Sequence, residues 1–480
     1  MVQLIALPLY IKLVGIEAYG LIAFYVTLQI TTQAFDLGLG QTLNRELARC
    51  GAMPGSAREM RDVVRTVESV YLVLLPVAAC VLLLIAPVLA TTVVKSSVLG
   101  QDAVRQAVQL MALLVPVQWA AGLYHGALMG LERQVIANSL RAVFVTLGAF
   151  GAVLVLAAVS PSILAFFVWQ ILVSIAYLVT LGVVLYRSLP SAAAGGARFR
   201  ANILRRIWRF AAGMAGISVA GMLFTQLDRW VLIGMSNLES FGYYSVAIAV
   251  ASALYFVITP MFTAVFPRFS ALAANGRREE LYALYALSTQ AMVGMVLPIG
   301  LIISLFAQDI ILVWTGNPSV AAQAAPIAGI LVLGTAINGL MNLPFAVQLA
   351  FGWVRLALML VTVLIVAFLP ALIALIMHFG PIGAAFAWLG LNAAYFLIGA
   401  PITHRRFMPG QGLQWLTGSV LPGFLAGAAV VLGGWAILPG KLGSVPGMLF
   451  LLVLAAFAVL AACLAGAESR KWLLARMARA

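Results

Sequence analysis

The sequence is poor in charged residues and in the residue types that carry most enzyme chemistry. Only 9% of its 480 residues are charged, and it has three cysteines and three histidines. The cysteines are odd in number and far apart, which argues against a disulfide framework. The histidines do not cluster with carboxylates at the spacing of metal ligands, and we find no Walker motif or nucleophile elbow. We therefore expect no enzymatic activity, no cofactor and no metal site.

Apolar residues dominate the chain instead and make up 64% of it. A soluble protein could not bury so large an apolar share and keep a solvated surface. Runs of about 20 apolar residues, the length that crosses a bilayer as a helix, recur throughout. We predict an all-α, multi-pass membrane protein with a short apolar stretch at 1–14 and thirteen further spans. They lie near 19–43, 69–94, 107–131, 135–159, 162–186, 207–235, 241–267, 283–307, 322–350, 354–378, 381–403, 413–437 and 445–466.

The distribution of basic residues predicts the topology of these spans. The net charge is +14, and we count 1–14 as the first span. On that count, 23 of the 28 lysines and arginines fall in loops after even-numbered spans, in a central linker or in the C-terminal tail. The positive-inside rule places these segments, including the C-terminus, in the cytoplasm. The basic charge is thus explained by topology, and we do not expect binding to nucleic acid.

An internal repeat relates the two halves of the chain at a constant offset of 222 residues. Equivalent pairs include the following: Glu17-Ala18-Tyr19-Gly20 with Glu239-Ser240-Phe241-Gly242, Leu75-Pro76 with Leu297-Pro298, Gly130 with Gly352, and Arg133 with Arg355. Six helices per copy make the repeat parallel. This predicts two lobes related by a pseudo-two-fold axis along the membrane normal, with a cavity between them and alternating access. In the second copy about 30 residues of helix precede Glu239, whereas only 16 residues precede its equivalent Glu17. We therefore expect the first of about fourteen helices to be truncated.

The repeat and the composition predict four segments. They are an N-terminal lobe at 1–186, a cytoplasmic linker at 187–206, a C-terminal lobe at 207–406, and two extra helices with a basic tail at 407–480. The end of the linker mixes arginines with Phe199, Ile203 and Trp208. Two readings stay open: an interfacial helix that contacts anionic lipid, and a solvated tether whose charges only set topology.

Polar residues inside the spans are the candidates for function, because lipid-facing polar groups are costly. The second span and its end carry Gln29, Gln33, Asp36, Gln41, Asn44 and Arg45. Gln29, Gln33 and Asp36 fall on one face of a helix. Asp36 and Arg45 would share a cavity only if Gly38 and Gly40 distort the segment. We read this stretch as cavity lining, and the alternative is polar packing against a neighbouring helix.

Three further residues extend this candidate site. Asp228 and Arg229 lie inside the seventh span, where either a static ion pair with another helix or a role in substrate binding or coupling is open. Arg268 ends the eighth span near the duplicate of Arg45. Paired guanidinium groups suit a phosphate ligand, although both arginines also suit topology alone. Gly122, Gly126 and Gly130 form a small-residue face that predicts close helix packing.

These residues resemble those of a known family. The segment Leu7-Pro8-Leu9-Tyr10-Ile11-Lys12-Leu13-Val14-Gly15-Ile16-Glu17-Ala18-Tyr19-Gly20, then Phe35-Asp36-Leu37-Gly38-Leu39-Gly40 and Arg45, is similar to the opening of the polysaccharide transporters, the Wzx-type flippases. In the second half, Leu227-Asp228-Arg229, Phe241-Gly242-Tyr243-Tyr244 and Phe266-Pro267-Arg268-Phe269-Ser270 resemble the seventh and eighth helices of that family. The resemblance implies a fold like that of the multidrug and toxin extruders, with two helices beyond the duplicated twelve.

The resemblance also implies a function. Members are thought to move undecaprenyl-diphosphate-linked oligosaccharides across the bacterial inner membrane through a cationic cavity. We therefore expect Arg45, Arg229 and Arg268 to bind the diphosphate, Asp36 and Asp228 to couple transport to a proton, a sodium ion or the membrane potential, and the polar residues to line the cavity. Expected partners are the lipid-linked oligosaccharide, anionic lipids and other glycan-assembly membrane proteins. The alternatives are a cation-coupled multidrug exporter of the same fold and a membrane-embedded glycan polymerase or ligase.

Overall fold

The computed structural model describes residues 2–33, 38–190, 197–437 and 445–471, and this part of the chain is almost entirely helical. The helices of the first half are α1 (Val2–Gln33), α2 (Leu39–Gly51), α3 (Ala57–Val88), α4 (Gln101–Gly130), α5 (Gln134–Ala158), α6 (Ile163–Ser188) and α7 (Ala201–Met235). Those of the second half are α8 (Leu238–Ser252), α9 (Tyr255–Ala274), α10 (Arg278–Leu305), α11 (Ala307–Thr315), α12 (Pro318–Ala350), α13 (Val354–Phe379), α14 (Pro381–Phe407), α15 (Gln411–Gln414), α16 (Leu421–Ile437) and α17 (Val445–Ala465). A π-helical turn extends α3 over Leu89–Val93, and another joins α15 to α16 over Trp415–Val420.

The predicted all-α membrane architecture is confirmed. Twelve helical segments within the described ranges are long and apolar enough to span a membrane. The 35-residue α7 is a further long helix. Gly15 leaves the helical conformation, at φ 83° and ψ 169°, and divides α1 into two parts. The break at Gly15 falls between the predicted stretches 1–14 and 19–43.

The structure corrects the bounds of several predicted spans. The span predicted at 19–43 is not one helix, because α1 ends at Gln33 and Gly38 takes the left-handed conformation (φ 63°) before α2 begins. The glycine distortion considered from the sequence is therefore present at Gly38. The span at 241–267 is likewise divided between α8 and α9, and α11 follows the span predicted at 283–307.

The chain forms two compact units, Met1–Gly242 and Tyr243–Ala480. α7 packs in the first unit against α1, α2 and α3. The second unit begins within α8 and includes the two helices beyond the duplicated twelve, formed by α15–α16 and by α17. The lobe boundaries at 186, 206 and 406 were derived from the symmetry of the repeat. A division into compact units does not test that symmetry, so these boundaries stay predictions.

The extra helices explain a difference in burial between two equivalent helices of the repeat. More than half of the most apolar stretch of α10 is buried, against 6% of that of its repeat equivalent α3. α16 and α17 pack on α10 within the second unit. The approach is close at Gly294 and Gly427, where an added Cβ would meet Cys463 and Pro298. Gln290 of α10 fixes the end of α17, because its Oε1 accepts hydrogen bonds from the backbone N–H groups of Glu468 and Ser469 at 3.0 and 2.9 Å.

Candidate functional site

The short helix α2 carries the first group of candidate residues on a rigid platform. Leu39, Leu43 and Leu47 recur every four residues and are fully or almost fully buried. Residues at this spacing share one helix face, so Gln41 and Arg45 share another, and both are exposed. Thr42 closes the first turn, since its hydroxyl donates to the carbonyl oxygen of Gly38 at 2.8 Å. α2 thus presents a glutamine and an arginine one turn apart on its exposed face.

Glycines of α4 set the position of α2 and confirm the predicted small-residue face. An ideal Cβ on Gly130 would lie 2.9 Å from the Cα of Asn44 and closer still to its carbonyl oxygen. A Cβ on Gly126 would approach the backbone of Gly40 in the same way. The two backbones therefore touch along two turns, which only glycine permits. Asn44 is half-buried at this contact, and its neighbour Arg45 faces away from it.

Arg268 occupies a similar but not identical position near the end of α9 in the second unit. The offset of 222 residues aligns the fully buried Leu47 with the fully buried Phe269. It aligns Arg268 with Glu46, whereas Arg45 aligns with Pro267. Arg268 is exposed like Arg45, although its repeat equivalent Glu46 is buried. Each unit therefore carries one exposed arginine near this repeat position, one residue apart in register.

The candidates on α1 are placed in part. Gln29 is half-buried and Gln33, one turn later at the end of α1, is exposed. Asp36 lies outside the described residues. The hydroxyl groups of the neighbouring threonines already donate within the helix. Thr27, Thr31 and Thr32 each donate a hydrogen bond to the carbonyl oxygen four residues earlier. The glutamines are thus the polar groups that this part of α1 offers.

α7 supplies an arginine whose side chain is not fully satisfied. Arg229 is half-buried, and its Nε is buried with no hydrogen-bond partner among the described residues. The adjacent Asp228 is half-buried. A buried guanidinium N–H without an acceptor is costly, so an acceptor placed at this Nε would stabilise the side chain.

Two side chains beside Arg229 were not singled out from the sequence. The indole N–H of Trp230 donates to the hydroxyl of Thr31 at 2.7 Å, and its ring packs edge-on against Phe24 at 5.7 Å. Gln226 is buried and its Oε1 has no partner within the described part of the chain. For a tryptophan or a glutamine in an apolar helix, the sequence does not show whether the side chain packs against a neighbouring helix or belongs to a functional site. Their roles follow only from the contact between α1 and α7.

The structure also reveals an ionic cluster at the other end of α7. Arg206 binds Glu46 of α2 and Glu59 of α3 at 3.1 and 3.0 Å, and Arg49 of α2 binds the same two carboxylates at 3.2 and 2.8 Å. The spacing of Glu46 and Arg49 signals a helical ion pair in the sequence. The partner Arg206 is remote along the chain and had no such signal. We call these four residues the α7 ion cluster.

The end of the predicted linker is attached to α3. Asp62, 1% exposed, accepts a hydrogen bond from the backbone N–H of Arg198 at 2.9 Å and binds the guanidinium of Arg200 at 2.6 Å. Ile203 and Ile207 of the adjoining turns of α7 are buried, whereas Phe199 and Trp208 are each 51% exposed. The described residues 197–200 are therefore exposed to solvent and at the same time attached to α3. Only part of the apolar set read as an interfacial helix remains available to lipid.

A second carboxylate of α3 is satisfied within the first unit. Glu68 is buried and accepts hydrogen bonds from the hydroxyls of Tyr124 and Tyr186 at 2.9 and 2.6 Å. It lay just outside the span predicted at 69–94 and was not a candidate. Its partners on α4 and α6 indicate that it joins three helices. No group of three or more His, Cys, Asp or Glu side chains suited to a metal ion occurs among the described residues.

Comparison with known proteins places this arrangement in a family. Residues 1–273 match the sequence profile of the family described as polysaccharide biosynthesis protein. A Shigella flexneri protein assigned as an O-antigen transporter is 23% identical over 379 residues, which cover 78% of this chain and 87% of that protein.

Solved structures of two kinds of transporter share the fold. The lipid II flippase MurJ in an inward closed conformation aligns at a TM-score of 0.73 and 12% identity, over 95% of both chains. An inward-facing multidrug resistance transporter of the MATE family, in the MOP superfamily, aligns at a TM-score of 0.71 and 13% identity, over 85% of this chain and 94% of that one. The fold expected from the resemblance is confirmed by both. The chain therefore belongs to the polysaccharide biosynthesis family of multi-pass membrane transporters, as its resemblance to the Wzx-type flippases implied.

Proposed function

We propose that this protein moves an oligosaccharide linked to undecaprenyl diphosphate across the bacterial inner membrane by alternating access. Family membership and the O-antigen transporter relative support a glycan cargo. The observation that carries the proposal furthest is Arg229, a cation on a long apolar helix with a buried N–H that lacks a partner among the described residues. Such a group needs a hydrogen-bond acceptor, and the diphosphate of this cargo offers anionic acceptor oxygens.

Each candidate residue has a distinct role in the proposal. Arg45, Arg229 and Arg268 bind the diphosphate, since guanidinium groups offer bidentate donors and keep their charge at all physiological pH values. Gln29, Gln33, Gln41 and Asn44 line the path and bind sugar hydroxyls. Asp36 and Asp228 couple transport to a proton, a sodium ion or the membrane potential. The polyprenyl tail stays in lipid, and no catalytic residue is assigned because transport makes and breaks no covalent bond.

The orientation and the remaining partners are part of the same proposal. The basic loops, the linker and the C-terminus face the cytoplasm. The exposed Phe199 and Trp208, together with the arginines beside them, contact anionic headgroups. Other membrane proteins of glycan assembly deliver or receive the cargo.

A strain that lacks the gene tests the cargo. We expect it to accumulate the lipid-linked oligosaccharide inside the cell and to lose the corresponding surface glycan, with both defects reversed by this chain. Susceptibility to cationic drugs is the matched control and should not change, because exposed arginines disfavour a cationic cargo. Hypersensitivity to such drugs with normal surface glycan would instead identify a multidrug exporter, whose fold this chain also shares.

A further inference from the structure

α7 is held in the first unit at its two ends. Near its C-terminal end, Trp230 packs on Phe24 and hydrogen-bonds Thr31. Just beyond that end, the backbone N–H of Leu238 donates to the carbonyl of Lys95 at 2.8 Å. A Cβ on Gly20 would lie 3.2 Å from the Cγ of Leu238 and closer to its carbonyl oxygen. These are close contacts of backbone and aromatic rings, which have no ready alternative partner.

The attachment at the start of α7 has a different chemical character. Arg206 and Glu59 are 45% and 37% exposed, and Arg49 is 33% exposed. Ion pairs that are open to water contribute little net stability, because water solvates the separated charges almost as well. Each carboxylate of the α7 ion cluster also has two arginine partners, so that loss of Arg206 leaves Glu46 and Glu59 paired with Arg49. The cluster can therefore release Arg206 without leaving a buried charge unpaired.

The middle of α7 is packed less closely than its ends. Of the side chains described between residues 216 and 225, none is buried. An added Cβ on Gly216 or Gly221 would meet nothing within 4 Å. α7 is thus fixed at one end by close packing and at the other by water-exposed ion pairs, and the side chains described along its middle are not buried.

We propose that the α7 ion cluster is a releasable lock, which holds the start of α7 against α2 and α3 and opens once in each transport cycle. α7 is the first helix of the second repeat and yet packs in the first unit, so a rearrangement of the repeats must be accommodated along it. Asp62, buried with its partners on the linker, keeps residues 198–200 attached to α3 while Arg206 separates. This inference rests on the protein being a conformationally cycling transporter, as the proposed function requires, and not on the identity of the cargo.

Cys50 provides a native reporter for the lock. It is fully buried at the end of α2, and its Sγ lies 3.7 Å from Nη2 of Arg49. Burial raises the pKa of the Cys50 thiol, so less of it is thiolate at neutral pH and its reaction with maleimide is slow. Replacing Cys80 and Cys463 with alanine leaves Cys50 as the single cysteine of the full chain.

The first experiment measures the labelling rate of Cys50 by a maleimide in native membranes. Arg206→Ala should raise the rate several-fold, and Arg206→Lys should restore most of the protection. Arg205→Ala is the matched control, because Arg205 is exposed and has no ion pair within the described residues. Equal rates in the Arg206→Ala and Arg205→Ala proteins would overturn the lock.

The second experiment asks whether the lock opens during transport. In a protein whose native cysteines are all alanine, Glu59→Cys and Arg206→Cys are joined by a flexible bis-maleimide with a cleavable disulfide. Translocation of the host's lipid-linked glycan in inverted vesicles should fall to background and return on reduction. A tether between Thr66→Cys and Arg200→Cys should leave translocation unchanged. The Thr66 hydroxyl accepts a hydrogen bond from the backbone N–H of Arg200 at 3.1 Å, and this attachment is predicted to stay closed.

The outcomes of these experiments distinguish a failure of the lock proposal from a failure of the proposed cargo. Normal translocation by the tethered Glu59→Cys/Arg206→Cys protein would show that the cluster is a static contact. Absence of translocation in untethered vesicles would count against the proposed cargo, and the Cys50 labelling rates then decide the lock on their own.

Discussion

The charged residues of this protein are of two kinds. Some hold helices together, and others face away from the packed surface. Glu46 and Asp62 are buried and paired with arginines within the first unit. Arg45 and Arg268 are exposed, and Arg229 keeps an unpartnered Nε within the described residues. Arginines of this protein therefore differ in exposure and in the partners that the packed helices offer them.

The three exposed or unsatisfied arginines should be sensitive to side-chain geometry. Replacing Arg45, Arg229 or Arg268 with alanine should lower glycan export at least tenfold while the protein level in the membrane stays near normal. Lysine should restore only part of the export, because a point charge replaces the bidentate fork. Export is measured as surface glycan in a gene-deletion strain.

Arg105→Ala is the control for these variants, since this exposed arginine lies at the start of α4 in a predicted external loop. If lysine serves as well as arginine at Arg45 and Arg268, those two residues only set topology. Full export by the alanine variants would remove them from the substrate site.

Sequence patterns predicted some of these residues and could not predict others. Asp228 and Arg229 stand out as charges in an apolar run, and Arg45 ends a polar helix face. Glu59 and Arg206 bind each other across 147 residues of sequence, and no local pattern signals such a pair. The pairing appears only once α7 is packed against α2 and α3.

Individual helices show the same division between local and long-range information. Apolar length predicted most spans, because a bilayer-crossing helix needs a fixed number of apolar residues. It could not predict the end of α1 at Gln33, since Ala34, Phe35 and Leu37 continue the apolar run on both sides of Asp36. The left-handed turn at Gly38 separates α1 from α2, and that backbone conformation is a property of the folded chain.

The glycine contact between α4 and α2 gives a prediction at this scale. Gly130→Ala should lower the melting temperature of the purified protein, because the added Cβ overlaps the backbone of Asn44. Overpacking of this kind costs about 1–3 kcal/mol. That exceeds the roughly 1 kcal/mol by which alanine favours a helix over glycine. Melting is measured by the fluorescence of a thiol-reactive or intrinsic probe in detergent.

Gly122→Ala, one turn before Gly126, is the matched control for that variant. An added Cβ there meets nothing within 4 Å, so it gains helix propensity without overlap and should not lower the melting temperature. A Gly130→Ala protein as stable as the Gly122→Ala protein would show that α2 is not fixed by the α4 backbone.

At the scale of the whole molecule, the repeat and the packing divide the chain at different places. The repeat predicts a boundary in the linker at 187–206, whereas the compact units meet within α8. α7 packs in the first unit although the repeat makes it the first helix of the second copy. Sequence similarity between halves reports shared ancestry of helices, and it does not determine which helices pack together.

The topology of the whole chain is open to direct measurement. Reporter fusions after Leu189 and at the C-terminus should be cytoplasmic, and one near Gly316 should be periplasmic, because the basic residues lie on the first side. A periplasmic linker would contradict both the number of helices and the parallel repeat.

The most direct test of the central claim is translocation by the purified protein. The lipid-linked oligosaccharide that accumulates in the deletion strain is extracted and incorporated with the full chain into sealed liposomes, and the glycan exposed outside is followed with an impermeant lectin or glycosidase. We predict that the protected half of the glycan becomes accessible in liposomes with the wild-type chain and stays protected with the Arg229→Ala chain or without protein. Glycan that stays protected in the presence of folded wild-type protein, with the predicted coupling ions and membrane potential supplied, would contradict the account.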